Sequence, residues 1–158
     1  MTMSGYGVIH VSTSACVHFV GSDDVDSSIF TTVSELKRLG ISYAYLNYSH
    51  GMAAIDIVND IGKQLHLEYW PYGGGPVPPL VPFLDDLCQL SQRVNGVALV
   101  IDSADLMFKE AQNDAFNLIE AFLIQFEDWF NKKKPCHLCF QVERNDLVRE
   151  AFCKQPTA

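Results

Sequence analysis

The chain lacks most of the patterns by which a sequence announces its chemistry. Only five of its 158 residues are cysteine (Cys16, Cys88, Cys136, Cys139, Cys153), an odd number without framework spacing. That excludes a disulfide scaffold and suits a reducing compartment. No apolar run reaches the ~20 residues that a membrane-spanning helix needs. Met1–Gly7 has no cationic stretch leading into an apolar one, so no signal peptide is expected. A cytoplasmic location follows as the expectation.

Catalytic and metal-binding patterns are equally scarce. The five histidines (His10, His18, His50, His66, His137) form no HExxH and no i, i+4 pair, and none adjoins a nucleophile elbow. Cys136-x-x-Cys139 looks like half a metal or redox site. On a strand, however, positions three apart point to opposite faces, so the two thiols cannot grip one ion. Asp85 and Asp86 are adjacent, and on a helix adjacent side chains diverge by about 100°, which denies them a shared substrate. No catalytic residue, metal or cofactor is expected, and the chain does not read as an enzyme. There is no internal repeat and no linker marking a second domain.

Positive charge is also in short supply. The net charge is −8 and the isoelectric point about 4.9. Between Glu68 and Asp128 stand ten acids against two bases, Arg93 and Lys109, which accounts for the whole excess. Such a field repels phosphate backbones and anionic lipid, and steers a basic partner. Nucleic acid and membrane surface are therefore not expected partners.

What is present is a single globular domain's worth of apolar sequence, 48% hydrophobic and 19% charged. Cys16–Val20 is short, apolar and β-rich, and predicts a strand. Gly21–Ser28 is a turn rich in helix N-cap residues. Ile29–Leu39 predicts a helix closed by Gly40. Ile41–Tyr48 reads as a second strand. From Met52 to about His66 the apolar positions Ile55, Ile57, Val58, Ile61 and Leu65 recur at helical spacing. Tyr69–Pro82, with five prolines and three glycines, forbids regular structure. Phe83–Leu90 is helical. Gly96–Ile101 (GVALVI) has the unbroken apolar character of a strand buried on both faces. Ala115–Asn131 is a long amphipathic helix, with Lys132–Lys134 suited to the negative pole of its dipole. Cys136–Val142 is the last strand, and a short helix follows Asp146. The order β-α-β-α-α-β-α-β predicts an α/β fold with a three- to four-stranded, mostly parallel sheet covered by helices.

Two functional readings arise from these elements. The strand Cys16–Val20 leads through Gly21–Ser28 into a helix, the place of the phosphate-binding GxxxxGK[ST] loop, and Val97–Ile101 followed by Asp102 resembles the acidic strand of a P-loop NTPase. In that loop Asp26 occupies the second glycine position and Ser27 the lysine position. Asp23 and Asp24 would face the phosphates. This reading yields a degenerate NTPase-fold module without hydrolysis, acting as a scaffold or regulatory binding protein. A sheet order shared with P-loop proteins would favour it. Gly73–Gly75 is better explained as a flexible turn than as an anion cradle. Tyr69, Trp70 and Tyr72, in a loop that cannot easily bury them all, form the second candidate, a protein-binding surface.

The arrangement from Ile41 to Val142 resembles the barstar-like family of intracellular ribonuclease inhibitors and immunity proteins. The matching parts are Ile41–Tyr48, Met52–His66, Trp70-Pro71-Tyr72-Gly73, Leu80–Leu90, Val97–Ile101, Ala115–Asn131 and Cys136–Val142. The resemblance implies an inhibitor or antitoxin that occludes the basic active site of a toxic nuclease. Its partner-binding residues would be Tyr69, Trp70, Tyr72 and Gly73 in the loop, Asp85 and Asp86 on the following helix, and Glu127 or Asp128 on the long helix. It also implies an organisation of residues 1–40 as an N-terminal β-α extension, 41–150 as the barstar-like domain and 151–158 as a frayed tail. The sequence departs from the family pattern where Gly75–Pro82 reads GPVPPLVP. In that family, carboxylates stand in for the phosphates that the nuclease's basic groups hold. Barnase and barstar are themselves the standard illustration of charge-steered association.

Overall fold

The computed structural model describes residues 17–21, 36–73, 78–142 and 145–154. Four strands, β1 (Val17–Gly21), β2 (Ser42–Asn47), β3 (Val97–Asp102) and β4 (Cys136–Val142), form one sheet in the order β1-β4-β3-β2. Every pairing is parallel, with Ala44 opposite Leu99, Leu99 opposite Leu138, and Val17 opposite Leu138. The expected α/β architecture with a largely parallel sheet is therefore observed.

β3 is the central element, and its sequence explains why. A strand covered on both faces needs apolar side chains at successive positions. Val97, Leu99 and Ile101 point into the larger core while Ala98 and Val100 point into a smaller one. The same alternation separates the two thiols of β4. Cys136 belongs to the larger core and Cys139 to the smaller, which bears out the argument against a shared ion. Burial pushes the Cys139 thiol up to about 12.

Five helices have bounds within the described residues: α1 (Ala54–Gln64), α2 (Leu80–Leu90), α3 (Ala104–Glu110), α4 (Gln112–Asn131) and α5 (Asn145–Lys154). α1 ends with Leu65 and then His66 at φ 54°, where the sequence places its end. α2 starts three residues before the expected Phe83. Pro82 falls in its first turn, where a missing backbone N–H removes no intrahelical bond. α3 was not expected. It is only seven residues long and is separated from α4 by Ala111, whose backbone (φ −139°, ψ 47°) is not helical. The first described helical residues, 36–39, end at Gly40 with φ 73°, a left-handed cap that suits glycine.

The faces the helices cover follow from handedness. Strand-to-parallel-strand connections are right-handed, so a chain crossing the sheet in opposite directions covers opposite faces. From β1 to β2 the chain crosses the full width of the sheet, and Leu36 and Leu39 pack on the smaller core. From β2 to β3 and from β3 to β4 it steps back. There Ile57, Val58 and Ile61 of α1, Phe83 and Leu87 of α2, Phe108 of α3, and Phe122 and Trp129 of α4 pack on the larger core. Val148 and Ala151 of α5 join that core too. The edge of β2 beside α1 is closed by a side chain. The Gln64 amide donates to the Tyr45 carbonyl at 2.7 Å and accepts from the Tyr45 N–H at 2.8 Å, replacing a neighbouring strand at that point.

Candidate functional site

In open parallel sheets, ligands bind beyond the carboxyl ends of the strands, where connections leave two neighbouring strands towards opposite faces. Here those neighbours are β1 and β4. The connection out of β1 reaches the smaller core and that out of β4 the larger. The strand ends concerned are Gly21 and Val142, and Asp102 closes β3 on the next strand. With strands about 4.8 Å apart, Asp102 stands roughly 10 Å from β1. Gly21 ends β1, as the loop reading requires. The remaining positions of that loop, Ser22 to Ser28, including Asp23, Asp24, Asp26 and Ser27, lie outside the described residues.

The Asp102 carboxylate is already engaged. Its Oδ2 accepts from the Tyr45 hydroxyl at 2.6 Å, and its Oδ1 accepts from the backbone N–H of Ser103 at 2.8 Å. The first bond ties it to β2, and the second holds it against the chain that leaves β3. Ser103 is in the left-handed region, φ 56°, and its hydroxyl donates to Asn47 Oδ1 at 3.1 Å. The Tyr48 N–H reaches the Asp102 carbonyl at 3.1 Å. The carboxyl ends of β2 and β3 are thus stitched into one unit. The residue after Asp102 is a serine, so no second carboxylate follows to orient a water. Among the described residues no group of three or more His, Cys, Asp or Glu could hold a metal ion.

The loop read as a partner-binding surface has a mixed placement. Tyr69 is 54% exposed and Trp70 39%, and Gly73 (φ 100°), Asp85, Glu127 and Asp128 are also exposed. Tyr72 and Asp86 are turned inward, 6% and 1% exposed. Asp86 Oδ2 accepts from the Tyr72 hydroxyl at 2.6 Å and from the Tyr69 N–H at 2.9 Å. Burial first, and then this hydrogen bond to Asp86, raises the Tyr72 phenol far above its ordinary value. Asn59 of α1 grips the Tyr72 backbone from the other side. It accepts from the N–H at 2.6 Å and donates to the carbonyl at 3.2 Å. Gly62 makes room, since a Cβ there would lie 2.8 Å from Tyr72 Cε2 and 3.2 Å from Trp70 Cδ1. Tyr72 and Asp86 therefore hold the loop to the chain's own helices. On α4, Asp128 accepts from the Cys88 thiol at 3.4 Å, linking it to α2. The ammonium of Lys134, expected to serve the helix dipole, donates to the Ser91 carbonyl at 2.6 Å.

A second polar cluster, which the sequence did not suggest, joins the β2–α1 loop to α3. Glu110 accepts from the Tyr48 hydroxyl at 3.0 Å and from the Gly51 N–H at 3.3 Å, and pairs with His50 Nδ1 at 2.7 Å. The His50 hydrogen bond is the main cause holding the Glu110 carboxyl below its ordinary value. Burial, then the bond to Glu110, pushes the Tyr48 phenol up to about 12. The signal was present as His50 and Glu110, but sixty residues separate them.

No family model matches the chain, and no curated protein matches it. Solved structures do. The Aeropyrum pernix ORC2 protein in its ADPNP–ADP complexes matches with a TM-score of 0.60 and 14% identity, over 90% of this chain and 38% of that one. Its ADP form matches with a TM-score of 0.53 and 15% identity, over 89% and 39%. Drosophila ORC bound to DNA matches with a TM-score of 0.55 and 12% identity, over 87% and 35%. The chain thus spans less than two-fifths of the length of these neighbours. At these identities the likeness is one of fold, shared with the ORC proteins, and it corrects the barstar-like resemblance. An alternation of strands with helices is common to many α/β folds, so the order of elements that suggested that family does not single it out. With the resemblance go its implications, an immunity protein or antitoxin and a basic toxic nuclease as partner, and the exclusion of nucleic acid that the net charge suggested is overturned as well. One of the neighbours is an assembly bound to DNA. Among the described residues no helix is long and apolar enough to cross a membrane.

Proposed function

We propose that the chain is a P-loop NTPase-fold module that does not hydrolyse nucleotide and acts as a scaffold or regulatory binding protein. One observation carries this reading. Asp102 stands at the end of β3, where P-loop NTPases hold Mg²⁺ with an acid, yet both of its oxygens are committed to Tyr45 and Ser103. The loop composition agrees with it. Asp26 and Ser27 replace the glycine and the cation that would cradle and neutralise phosphate, and Asp23 and Asp24 add repulsion. Freed from turnover, the fold retains a rigid sheet that can present surfaces. The partner-facing groups would be the exposed Tyr69, Trp70, Gly73, Asp85, Glu127 and Asp128. Tyr69 and Asp85 flank the buried Asp86 anchor, and Asp128 meets α2 through Cys88.

The test is a gain of binding. The wild-type chain should neither hydrolyse MgATP nor shift its melting temperature with MgATP. The variant Asp23→Ser, Asp24→Ser, Asp26→Gly, Ser27→Lys should acquire a measurable nucleotide-dependent thermal shift. ATP hydrolysis by the wild-type chain overturns the proposal.

A further inference from the structure

At the break between α3 and α4 two carboxylates stand one turn apart, in unlike surroundings. Glu110 is saturated by Tyr48, His50 and Gly51. Asp114 accepts no hydrogen bond from a described residue, and burial alone raises its pKa above the ordinary aspartate value. It borders two hollows. One is a polar opening of about 660 Å³, with Tyr48, His50 and Glu110 in its wall. The other is a cleft of about 230 Å³ between α1, α2 and α4, lined by Ala54, Ile57, Val58, Leu80 and Leu118. An apolar cleft with a few polar groups, here the Asp114 carboxylate and the amide of Asn117, is the usual form of a small-ligand site. The cleft shares no residue with the Asp102 site, so this inference goes beyond the proposed function and does not rest on it.

We propose that the cleft binds an alkylammonium group, with its hydrocarbon stem against Ile57, Val58 and Leu118 and its ammonium paired with the Asp114 carboxylate. The class follows from the lining. Hydrocarbon is favoured by the apolar walls, each buried methylene being worth roughly fourfold in affinity. A partly desolvated carboxylate without a hydrogen-bond donor is most relieved by a cation that also donates. The cleft has room for about seven or eight water volumes at ~30 Å³ each, which accommodates a chain of about five carbons. A lysine side chain carries the same group on a stem of nearly the same length, so a free aliphatic amine and a lysine of another protein present the same chemistry.

The experiment titrates the full chain with n-pentylamine, pentan-1-ol and an end-capped lysine, followed by amide chemical shifts at 54–58 and 114–118. Pentylamine should bind in the millimolar range or tighter, at least tenfold better than pentanol. Asp114→Asn should bring the amine down to the alcohol's level. Ala54→Leu, which fills the cleft from an exposed helix position, should weaken both ligands and keeps the test open if Asp114→Asn folds poorly. Tighter binding of the capped lysine identifies a protein side chain as the source, and tighter binding of pentylamine identifies a free amine. Equal affinity for amine and alcohol, an unchanged amine affinity in Asp114→Asn, or no shift with millimolar pentylamine overturns the proposal.

Discussion

The Tyr45 hydroxyl donates to Asp102 Oδ2 at 2.6 Å, joining an edge strand to the acidic end of its neighbour. The carboxylate thereby ties β3 to its neighbouring strand at their carboxyl ends. Tyr45→Phe should leave the fold intact and cost about 1.5–3 kcal/mol, the range for a hydrogen bond to a charged group. It should not by itself produce MgATP binding, because the loop still lacks its lysine. Urea denaturation and calorimetry with MgATP check both halves.

Asp86 and Asp85 should behave very differently although adjacent. Asp86→Ala strands the buried Tyr72 hydroxyl and the Tyr69 N–H, and should destabilise by about 2–4 kcal/mol. Asp85→Ala, at an exposed position, should change stability by less than about 0.5 kcal/mol. Chemical denaturation of the two variants separates the anchor from the surface acid.

Gly62→Ala sets local preference against packing. Alanine is a better helix former than glycine by about 1 kcal/mol. Its Cβ would meet the rings of Tyr72 and Trp70 at 2.8 and 3.2 Å. Overpacking costs about 1–3 kcal/mol, so the melting temperature should fall. A change in Trp70 fluorescence, read against the buried Trp129 as internal reference, should accompany the fall.

Glu110 and Asp114 should respond to pH with opposite signs. The Glu110 pKa is lowered by its bonds, so its contribution is present above its ordinary value of 4.5 and is lost as pH falls below it. The Asp114 pKa is raised by burial. The fold is therefore favoured below the ordinary 3.8 and loses that advantage as pH rises through the elevated folded value. Asp114→Asn should accordingly raise the melting temperature at pH 7 by about 1–2 °C and have no effect near pH 3. Glu110→Gln should lower it at pH 7 and have no effect once the carboxyl is protonated. Melting curves across pH 3–7 decide.

Gln64→Ala should expose the N–H and carbonyl of Tyr45 at the edge of β2. A loss of about 1 kcal/mol and a concentration-dependent increase in apparent mass are expected, since an unpaired strand edge pairs with other chains. Light scattering with a denaturation curve measures both.

The elements themselves were legible because their signals are local. The unbroken apolar run of β3, the alternation that splits Cys136 from Cys139, the helical spacing from Ile55 to Leu65 and the cap at Gly40 each depend on neighbours a few residues away. α3 escaped because seven residues between a strand and a long helix give too short a period to recognise.

What the residues alone determined is therefore the four strands, most of the described helices and the largely parallel character of the sheet. Only the folded chain decided the order β1-β4-β3-β2, the engagement of Asp102 by Tyr45, the turning inward of Tyr72 and Asp86, and the meeting of His50 with Glu110. Those relations join residues from 14 positions apart, as with Tyr72 and Asp86, to 121 apart, as with Val17 and Leu138. Local propensity reaches only a turn or two along the chain. Which distant surfaces meet is set by how all the apolar faces are buried at once.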